Sequence, residues 1–263
     1  MSAFRDRYGP WALIAGAAEG LGAAFAHEAA RRGLDLLLAD LQTDKLAAVA
    51  RSVETACGVR TRCATVDLGA VDTWERLQPL LHDAAPGLLI YNAGRSYVGP
   101  FLSQPWEDQR LQLEVNCRGP LRLVHKLAPE LVARGRGGIV LLSSMTGLTG
   151  HALVACYGAT KAFNLVLAEA LWAELHDRGV DVLAVCPGPT RTPGYEASKS
   201  RLPPGFVMEP AHVAREALDA LGRGPVLVPG AANRATAAVL SRALPRGAAT
   251  KAMSRLMRAI YRR

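Results

Sequence analysis

The chain has 263 residues, half of them hydrophobic and about a fifth charged, the proportions of a folded globular protein at the upper size of one domain. No apolar run reaches the roughly 18–20 residues that span a bilayer, and Met1 to Tyr8 lacks the apolar core of a secretory signal, so a cytoplasmic protein is expected. The net charge of +8 gathers at the C-terminal end, where no Asp or Glu follows Asp219 while Arg223, Arg234, Arg242, Arg246, Lys251, Arg255, Arg258, Arg262 and Arg263 do, which argues against a nucleic-acid-binding domain as a whole.

Apolar runs and helical patterns alternate along the chain. Trp11 to Ala15 predicts a buried strand, followed by glycines at 16, 20 and 22 and a helical pattern to Arg32. Leu34 to Ala39 predicts a second strand ending at Asp40, and Thr43 a helix cap for a segment reaching Ala56. Val59 to Val66 predicts a third strand ending at Asp67, with a helix over about 71–84. Gly87 to Tyr91 predicts a fourth strand ending in Asn92, Ala93 and Gly94, then one long helix from Pro105 to Arg134. Gly138 to Leu142, Val180 to Cys186 and Val226 to Val228 predict three more strands, separated by helices that end near Arg178 and Leu221. Near-continuous apolar strands alternating with helices indicate a doubly wound α/β domain with a mostly parallel seven-stranded sheet and helices on both faces.

Several residues at strand ends carry chemistry. The turn Gly16-Ala-Ala-Glu19-Gly20-Leu21-Gly22 would let a pyrophosphate approach a helix N-terminus; glycine-rich turns also serve as plain turns. Asp40 stands where an acid can bind the adenine ribose, and Asp67, with Leu68, where a side chain can meet the adenine edge. Asn92, Ala93 and Gly94 end the strand at the expected switch point of the sheet. Tyr157 and Lys161 are four apart, one turn along one helix face, where an ammonium lowers a neighbouring phenol's pKa and suits Tyr157 to general acid–base work. Ser144 follows a strand thirteen residues upstream. Asn116 sits inside a long helical pattern, where Asn is a poor helix former and can equally be a buried, hydrogen-bonded core group. Cys57, Cys63, Cys117, Cys156 and Cys186 are odd in number and lack metal-ligand spacing, so reduced thiols and no metal site are expected.

In these motifs, and over about residues 8–230, the chain resembles the short-chain dehydrogenase/reductase family. The resemblance implies a Rossmann-type fold of about 250 residues. It implies a catalytic tetrad of Asn116, Ser144, Tyr157 and Lys161, and cofactor contacts that add Pro187, Gly188, Thr190 and Thr192 to the residues above. It further implies that Tyr157 exchanges the alcohol proton, Ser144 holds the substrate oxygen, Lys161 holds the nicotinamide ribose, and Asn116 anchors a water in a proton relay. Two positions depart from the family pattern. Ala15 stands for a threonine and Tyr91 for an asparagine, and both changes would loosen the bracing of the glycine loop and sheet.

Asp40 and Glu19 would repel a 2′-phosphate, and Leu41, Gln42 and Thr43 bring no cation. These residues favour NAD over NADP. The family places a substrate lid at about 193–210, here with Tyr195 and Phe206, while Lys199 and Arg201 in it read as solvated. Tyr97, His151 and Leu153 complete a candidate pocket for a hydrophobic secondary alcohol or ketone, steroid-like or aromatic. An NADP-dependent carbonyl reductase and a non-catalytic nucleotide sensor are the competing readings, and a homodimer or homotetramer is expected. Residues 1–245 form the catalytic domain. In the 246–263 extension, Met253, Leu256, Met257 and Ile260 make a helical stripe beside Lys251, Arg255, Arg258 and Arg262. This basic amphipathic helix either docks on its own or a neighbouring subunit, or offers a peripheral membrane contact.

Overall fold

A computed structural model describes residues 3–198, 200 and 202–261. Seven strands form one parallel sheet: β1 (Trp11–Ala15), β2 (Asp35–Asp40), β3 (Thr61–Thr65), β4 (Pro86–Tyr91), β5 (Gly137–Leu142), β6 (Val180–Val185) and β7 (Val226–Leu227), in the order β3-β2-β1-β4-β5-β6-β7. The helices are α1 (Ala3–Tyr8), α2 (Gly20–Arg31), α3 (Thr43–Cys57), α4 (Thr73–Leu81), α5 (Trp106–Leu113), α6 (Gly119–Arg134), α7 (Ala155–Leu175), α8 (Pro193–Ala197), α9 (Pro210–Ala220), α10 (Ala231–Ala238) and α11 (Arg246–Ile260). The expected doubly wound, helix-covered sheet is the observed fold.

Strand side chains alternate between the two faces. Ile14, Leu36, Leu38 and Ile90 meet Phe25, Ala29, Leu46, Val53, Val213 and Ala217 on one side. Leu13, Leu37, Leu89, Ile139 and Val182 meet Leu77, Leu123, Leu127, Leu131 and Ala168 on the other. Fully burying one such side chain contributes about 1.5–3 kcal/mol relative to exposure. The near-continuous apolar strands are explained by this double cover.

Local details differ from the sequence reading. The residue before α3 is Gln42, without a side-chain cap; Thr43 is the first helical residue, its hydroxyl 3.0 Å from that of Thr65. The long helix is continuous but passes through a π turn at Glu114–Arg118, between α5 and α6. Helices α1 and α10 were not anticipated. α1 is too short for a periodic signal and is held by tertiary contacts: the Tyr8 hydroxyl donates to the buried Asp181 carboxylate at 2.7 Å, and Arg7 pairs with the same group at 2.9 Å. Lys199, Arg201, Arg262 and Arg263 lie outside the described residues. No described helix is long and apolar enough to cross a membrane.

The tail helix starts at Arg246 and lies on its own chain. Ala249, Met257 and Ile260 are buried. The Ala152 amide donates to Ser254 Oγ at 3.0 Å, and the hydroxyls of Thr149 and Thr250 are 3.4 Å apart. Leu256 is the exposed member of the apolar stripe. The face expected to offer itself to a lipid surface is therefore mostly covered by the domain.

Candidate active site

The C-terminal ends of β1, β2, β3 and β4 open into a cleft of about 470 Å³, where the chain order reverses across β1 and β4. That is the switch-point crevice of an open α/β sheet. Gly16, Glu19, Gly20, Leu21, Asp40, Asp67, Leu68, Asn92, Ala93, Gly94 and Thr192 line it together. Leu41, Gln42, Val66, Arg95, Val115, Pro193 and Gly194 line it too. The sequence reading assigned none of these seven to the cleft: Leu41 and Gln42 entered it only as bringing no cation, Pro193 and Gly194 only as part of the lid, and no motif marks Val66, Arg95 and Val115, whose adjacency to strand ends was the available signal.

The glycine loop is a cradle that side chains would fill. A Cβ at Gly22 would overlap the Gly16 carbonyl oxygen, and one at Gly16, at φ +86°, would lie 2.6 Å from Ala93 Cα and N. Asn92 Nδ2 donates to Gly16 O at 2.7 Å, and the amides of Asn92 and Ala93 donate to Ala15 O at 2.9 and 2.8 Å. The alanine at 15 thus leaves the loop braced through backbone groups. Asp40 takes part as well: its carboxylate accepts from the amides of Ala18 and Gln42, both at 3.0 Å. Asp67 closes a local turn, accepting from the Gly69 amide at 2.9 Å. The bare loop, the N-terminus of α2 behind it and the size of the cleft fit a dinucleotide.

Near the cofactor mouth, Lys45 of α3 forms an ion pair with Glu19. No cation immediately follows Asp40, but Lys45, five residues beyond it, is carried back to the glycine loop by the first turn of α3.

The catalytic candidates meet beyond β5. Ser144 follows the strand, its Oγ accepting from the Thr146 amide at 3.2 Å. Its hydroxyl lies close enough to that of Tyr157, on the first turn of α7, to act on the phenol. Lys161 is buried one turn on, its Nζ 5.7 Å from the Tyr157 ring centre and donating to Leu142 O at 2.7 Å. Burial pushes the Tyr157 phenol up to about 12, against the opposing hydrogen bond from Ser144. Burial also brings Lys161 down to about 8. The expected lowering of the Tyr157 pKa by Lys161 is therefore corrected. Desolvation dominates, and the lysine's own charge is disfavoured in the same enclosure. Ser143, unassigned from sequence, fastens α7 to the strand end by donating to Lys161 O at 2.7 Å.

Asn116 lies in the π turn, fully buried. Its Oδ1 accepts from the Arg95 amide at 2.8 Å, and its Nδ2 donates to Arg95 O at 2.8 Å and Thr160 Oγ1 at 2.9 Å. It ties the end of β4 to α7, so the hydrogen-bonded core group that the sequence left open is what its amide forms. A π turn upsets the regular i−4 ladder and is frequent at functional sites. Here the Tyr91 hydroxyl donates to Val115 O within that turn at 2.7 Å. A Cβ at Gly119 would collide with this hydroxyl. Tyr91, expected to loosen the sheet, instead braces the turn that holds Asn116.

Other expected residues fall into two groups. The Gly99 amide donates to Leu153 O at 2.8 Å, which joins the loop that carries Tyr97 to the segment between Ser144 and Tyr157 that carries His151 and Leu153. Leu153 is held at φ +72°, a left-handed conformation that costs a non-glycine residue roughly 1–3 kcal/mol and recurs at functional sites. His151 is buried, its Nδ1 2.8 Å from Thr149 O. Its Nε2 is enclosed without a partner, and burial lowers its pKa. In the lid, Thr192 Oγ1 accepts from the Tyr195 amide at 3.2 Å, and the Tyr195 hydroxyl meets Ser200 Oγ at 3.2 Å. Phe206 is 64% exposed and is not brought into the pocket. Pro187 and Gly188 lead from β6 into this segment, where Thr190 Oγ1 donates to Gly188 O at 3.0 Å. No group of His, Cys, Asp and Glu among the described residues could hold a metal ion. A second depression, lined by Trp74, Gln78, Leu81 and Ala84–Pro86, lies at the opposite end of β4 from these groups.

The comparisons agree with this geometry. The family model described as short chain dehydrogenase matches residues 10–202. A 7β-hydroxysteroid dehydrogenase of Clostridium sardiniense is 30% identical over 88% of this chain and 89% of its own. A very-long-chain 3-oxoacyl-CoA reductase of Ajellomyces capsulatus is 34% identical over 83% of this chain and 66% of its own. Among solved structures, a 7β-hydroxysteroid dehydrogenase superposes with a TM-score of 0.89 at 27% identity, covering 96% of this chain and 99% of that one. A short-chain dehydrogenase of Sphingobium yanoikuyae in complex with NADPH gives 0.79 at 34% identity, over 94% and 96%. With the glycine cradle, the Ser–Tyr–Lys cluster and the family match all on one sheet edge, the chain belongs to the short-chain dehydrogenase family and is an oxidoreductase of that family.

Proposed function

We propose that the chain transfers a hydride between NAD(H) and a hydrophobic secondary alcohol or ketone, with Tyr157 as the general acid or base. The observation that carries the reading is the Ser144–Tyr157 hydroxyl pair, with Lys161 buried beside it at the inner end of the glycine-loop cleft. The nicotinamide cofactor supplies the hydride chemistry when bound. The glycine loop and the N-terminus of α2 hold its pyrophosphate, Asp40 its adenine ribose, and Lys161 with Thr190 and Thr192 its nicotinamide end. Ser144 donates to the substrate oxygen and stabilises the charge that develops there. Tyr157 delivers or removes the proton on that oxygen. A phenol with a pKa near 12 is proton-loaded at neutral pH, which suits carbonyl reduction; alcohol oxidation gains as pH rises. Asn116 positions the loop after β4 and the start of α7, and through them the cleft on both sides.

The substrate reading rests on the apolar and aromatic groups at Tyr97, Leu153 and Tyr195. The relatives named for hydroxysteroids and long 3-oxoacyl chains are consistent with an extended apolar substrate. NAD is favoured by the Asp40 carboxylate. The second reading, NADP, is favoured by Lys45 at the glycine loop and by the relative that holds NADPH. Trp106, Phe163 and Val166 are exposed apolar residues on α5 and α7, and we assign them to a homodimer face in a cytoplasmic enzyme. A panel of secondary alcohols and ketones, followed by nicotinamide absorbance with each cofactor, tests the reading. Turnover with a higher kcat/KM for NAD(H) is expected. A higher value for NADP(H) reverses the cofactor assignment, and binding without turnover of any member points to the nucleotide sensor.

A further inference from the structure

The cleft at the glycine loop is unbalanced in charge. Three acids line it, Glu19, Asp40 and Asp67, and Arg95 is the one cation among the described residues of its lining. Each acid already has a partner. Glu19 pairs with Lys45, Asp40 accepts from the amides of Ala18 and Gln42, and Asp67 accepts from the amide of Gly69. Arg95 is exposed, and no ion pair joins its guanidinium to an acid among the described residues.

The backbone at Arg95 is clamped at two points. Its amide donates to Asn116 Oδ1 at 2.8 Å, and Asn116 Nδ2 donates to Arg95 O at 2.8 Å. Asn116 is itself fully buried in the π turn, which the Tyr91 hydroxyl braces at Val115 O. Gly94, one residue earlier, stands against Lys161: a Cβ there would lie 3.3 Å from Lys161 Nζ. Residues 92–95 thus run from the glycine loop, which Asn92 reaches through Gly16 O, to Lys161, which Gly94 abuts. A dinucleotide laid along that segment carries two negative charges at its pyrophosphate. The N-terminus of α2 offers roughly half an elementary positive charge to meet them, and the three acids of the lining oppose them. Only the Arg95 guanidinium brings a full positive charge into the same space.

We propose that Arg95 is a cofactor-binding residue whose guanidinium takes the pyrophosphate from the β4 side of the cleft, with Asn116 as the residue that positions it. The inference rests on the reading of this cleft as a dinucleotide site, and it supplies the charge that the glycine loop lacks. A guanidinium suits the task because its planar fork of N–H donors matches phosphate oxygens in pairs. The clamp at Asn116 fixes where the long side chain starts, so less freedom is lost when the phosphate is met. The pyrophosphate is common to NAD and NADP. Arg95 therefore strengthens both alike and leaves the choice between them to Asp40, Glu19 and Lys45.

The test titrates NADH, NADPH and ADP-ribose into the full chain and into its Arg95→Gln and Arg95→Lys variants. Calorimetry reads binding without requiring turnover, and steady-state kinetics on a ketone panel reads turnover. Arg95→Gln should weaken all three nucleotides by a similar factor, about 10-fold or more, as expected for losing a charge-assisted contact. Arg95→Lys keeps the charge and loses the fork, so its affinities should fall between the other two chains. The loss in Arg95→Gln should shrink in about 0.5 M NaCl. All three chains should share one thermal midpoint, because the exposed side chain pairs with no acid. A loss confined to NADPH assigns the guanidinium to the 2′-phosphate, and unchanged affinity for all three nucleotides leaves it to solvent; either result overturns the inference. Equal losses in the two variants with a lowered midpoint make Arg95 a brace of the fold and overturn it as well. If Arg95→Gln binds nucleotides like wild type and still reduces ketones, the proposed reaction stands without Arg95. Arg95-dependent nucleotide binding with no ketone reduced supports the inference and overturns the reaction.

Discussion

The two sides of the cleft are built differently. On the glycine-loop side, three strand ends are laced to one another: Asp40 to the amide of Ala18, Asn92 to Gly16, and two amides to Ala15 O. On the other side, the lid is joined to itself through Tyr195, Ser198 and Ser200 and to the segment after β6 through Met208, which bonds Pro189 and Arg191, and it exposes Phe206. The half that would bind an invariant group is rigidly preorganised, which lowers the ordering cost of binding. The half that would recognise a variable group consists of loops, where specificity can change without disturbing the sheet. Ser144, Tyr157 and Lys161 sit between them, anchored to β5 and α7.

Substitutions should separate these halves, beginning with the centre. Tyr157→Phe removes the proton donor and leaves the glycine cradle untouched. Turnover should fall by ~10³-fold or more, while the dissociation constant for NAD(H) stays within about twofold. Fluorescence titration of the cofactor alongside single-turnover kinetics checks both, and retained turnover would sink the assignment.

Gly22→Ala against Gly205→Ala tests the cradle against the lid. The added methyl at 22 meets backbone, whereas at 205 nothing lies within 4 Å. The first should destabilise the fold by ~3 kcal/mol and weaken cofactor binding. The second should change stability by less than about 0.5 kcal/mol. Equal denaturation midpoints for the two variants would contradict the contrast.

Lys161→Met gives the pH signature of the centre. In the folded chain Lys161 titrates near 8, below its ordinary 10.5. Below about pH 8 it is protonated in both folded and unfolded states, so the full cost of burying its charge is present. As pH rises from about 8 to 10.5 the folded chain is deprotonated first, and that cost is relieved. The methionine variant should therefore be inactive yet more stable than wild type near pH 7, by ~3 kcal/mol. The advantage should shrink by about pH 10. Urea titrations at the two pH values measure it, and a pH-independent difference counts against a buried ammonium.

The smallest effect is expected at Tyr91→Phe. Removing the hydroxyl leaves Val115 O in the π turn without its donor, at about 1–3 kcal/mol. The Asn116 clamp should loosen, so KM for the cofactor rises more than kcat falls. A variant with wild-type stability and KM would show that the turn holds itself.

Much of this was already legible in the chain. Strand and helix alternation, the glycine turn, Asp40, Ser144, Tyr157 and Lys161 depend on short-range spacing and on the apolar period that any parallel sheet imposes. Those signals survive because each is carried by a few residues close together in the sequence. Other features had no local signature. Lys45 reaches Glu19 only because α3 turns it back. Tyr91 reaches Val115 because β4 lies beneath the π turn, and Gly119 makes the room. The Tyr157 pKa follows from enclosure rather than from the lysine four residues on. The same holds for α11: its stripe and its cations can be read from residues 250–263, but which surface the stripe covers depends on where residues 149 and 152 lie in space. The sequence alone therefore determined the fold and the oxidoreductase family and marked the candidate reacting groups, because these rest on local pattern. Tertiary structure decided the protonation of those groups, their bracing and the place of the charged tail, because each depends on desolvation and on contacts between residues far apart in the chain.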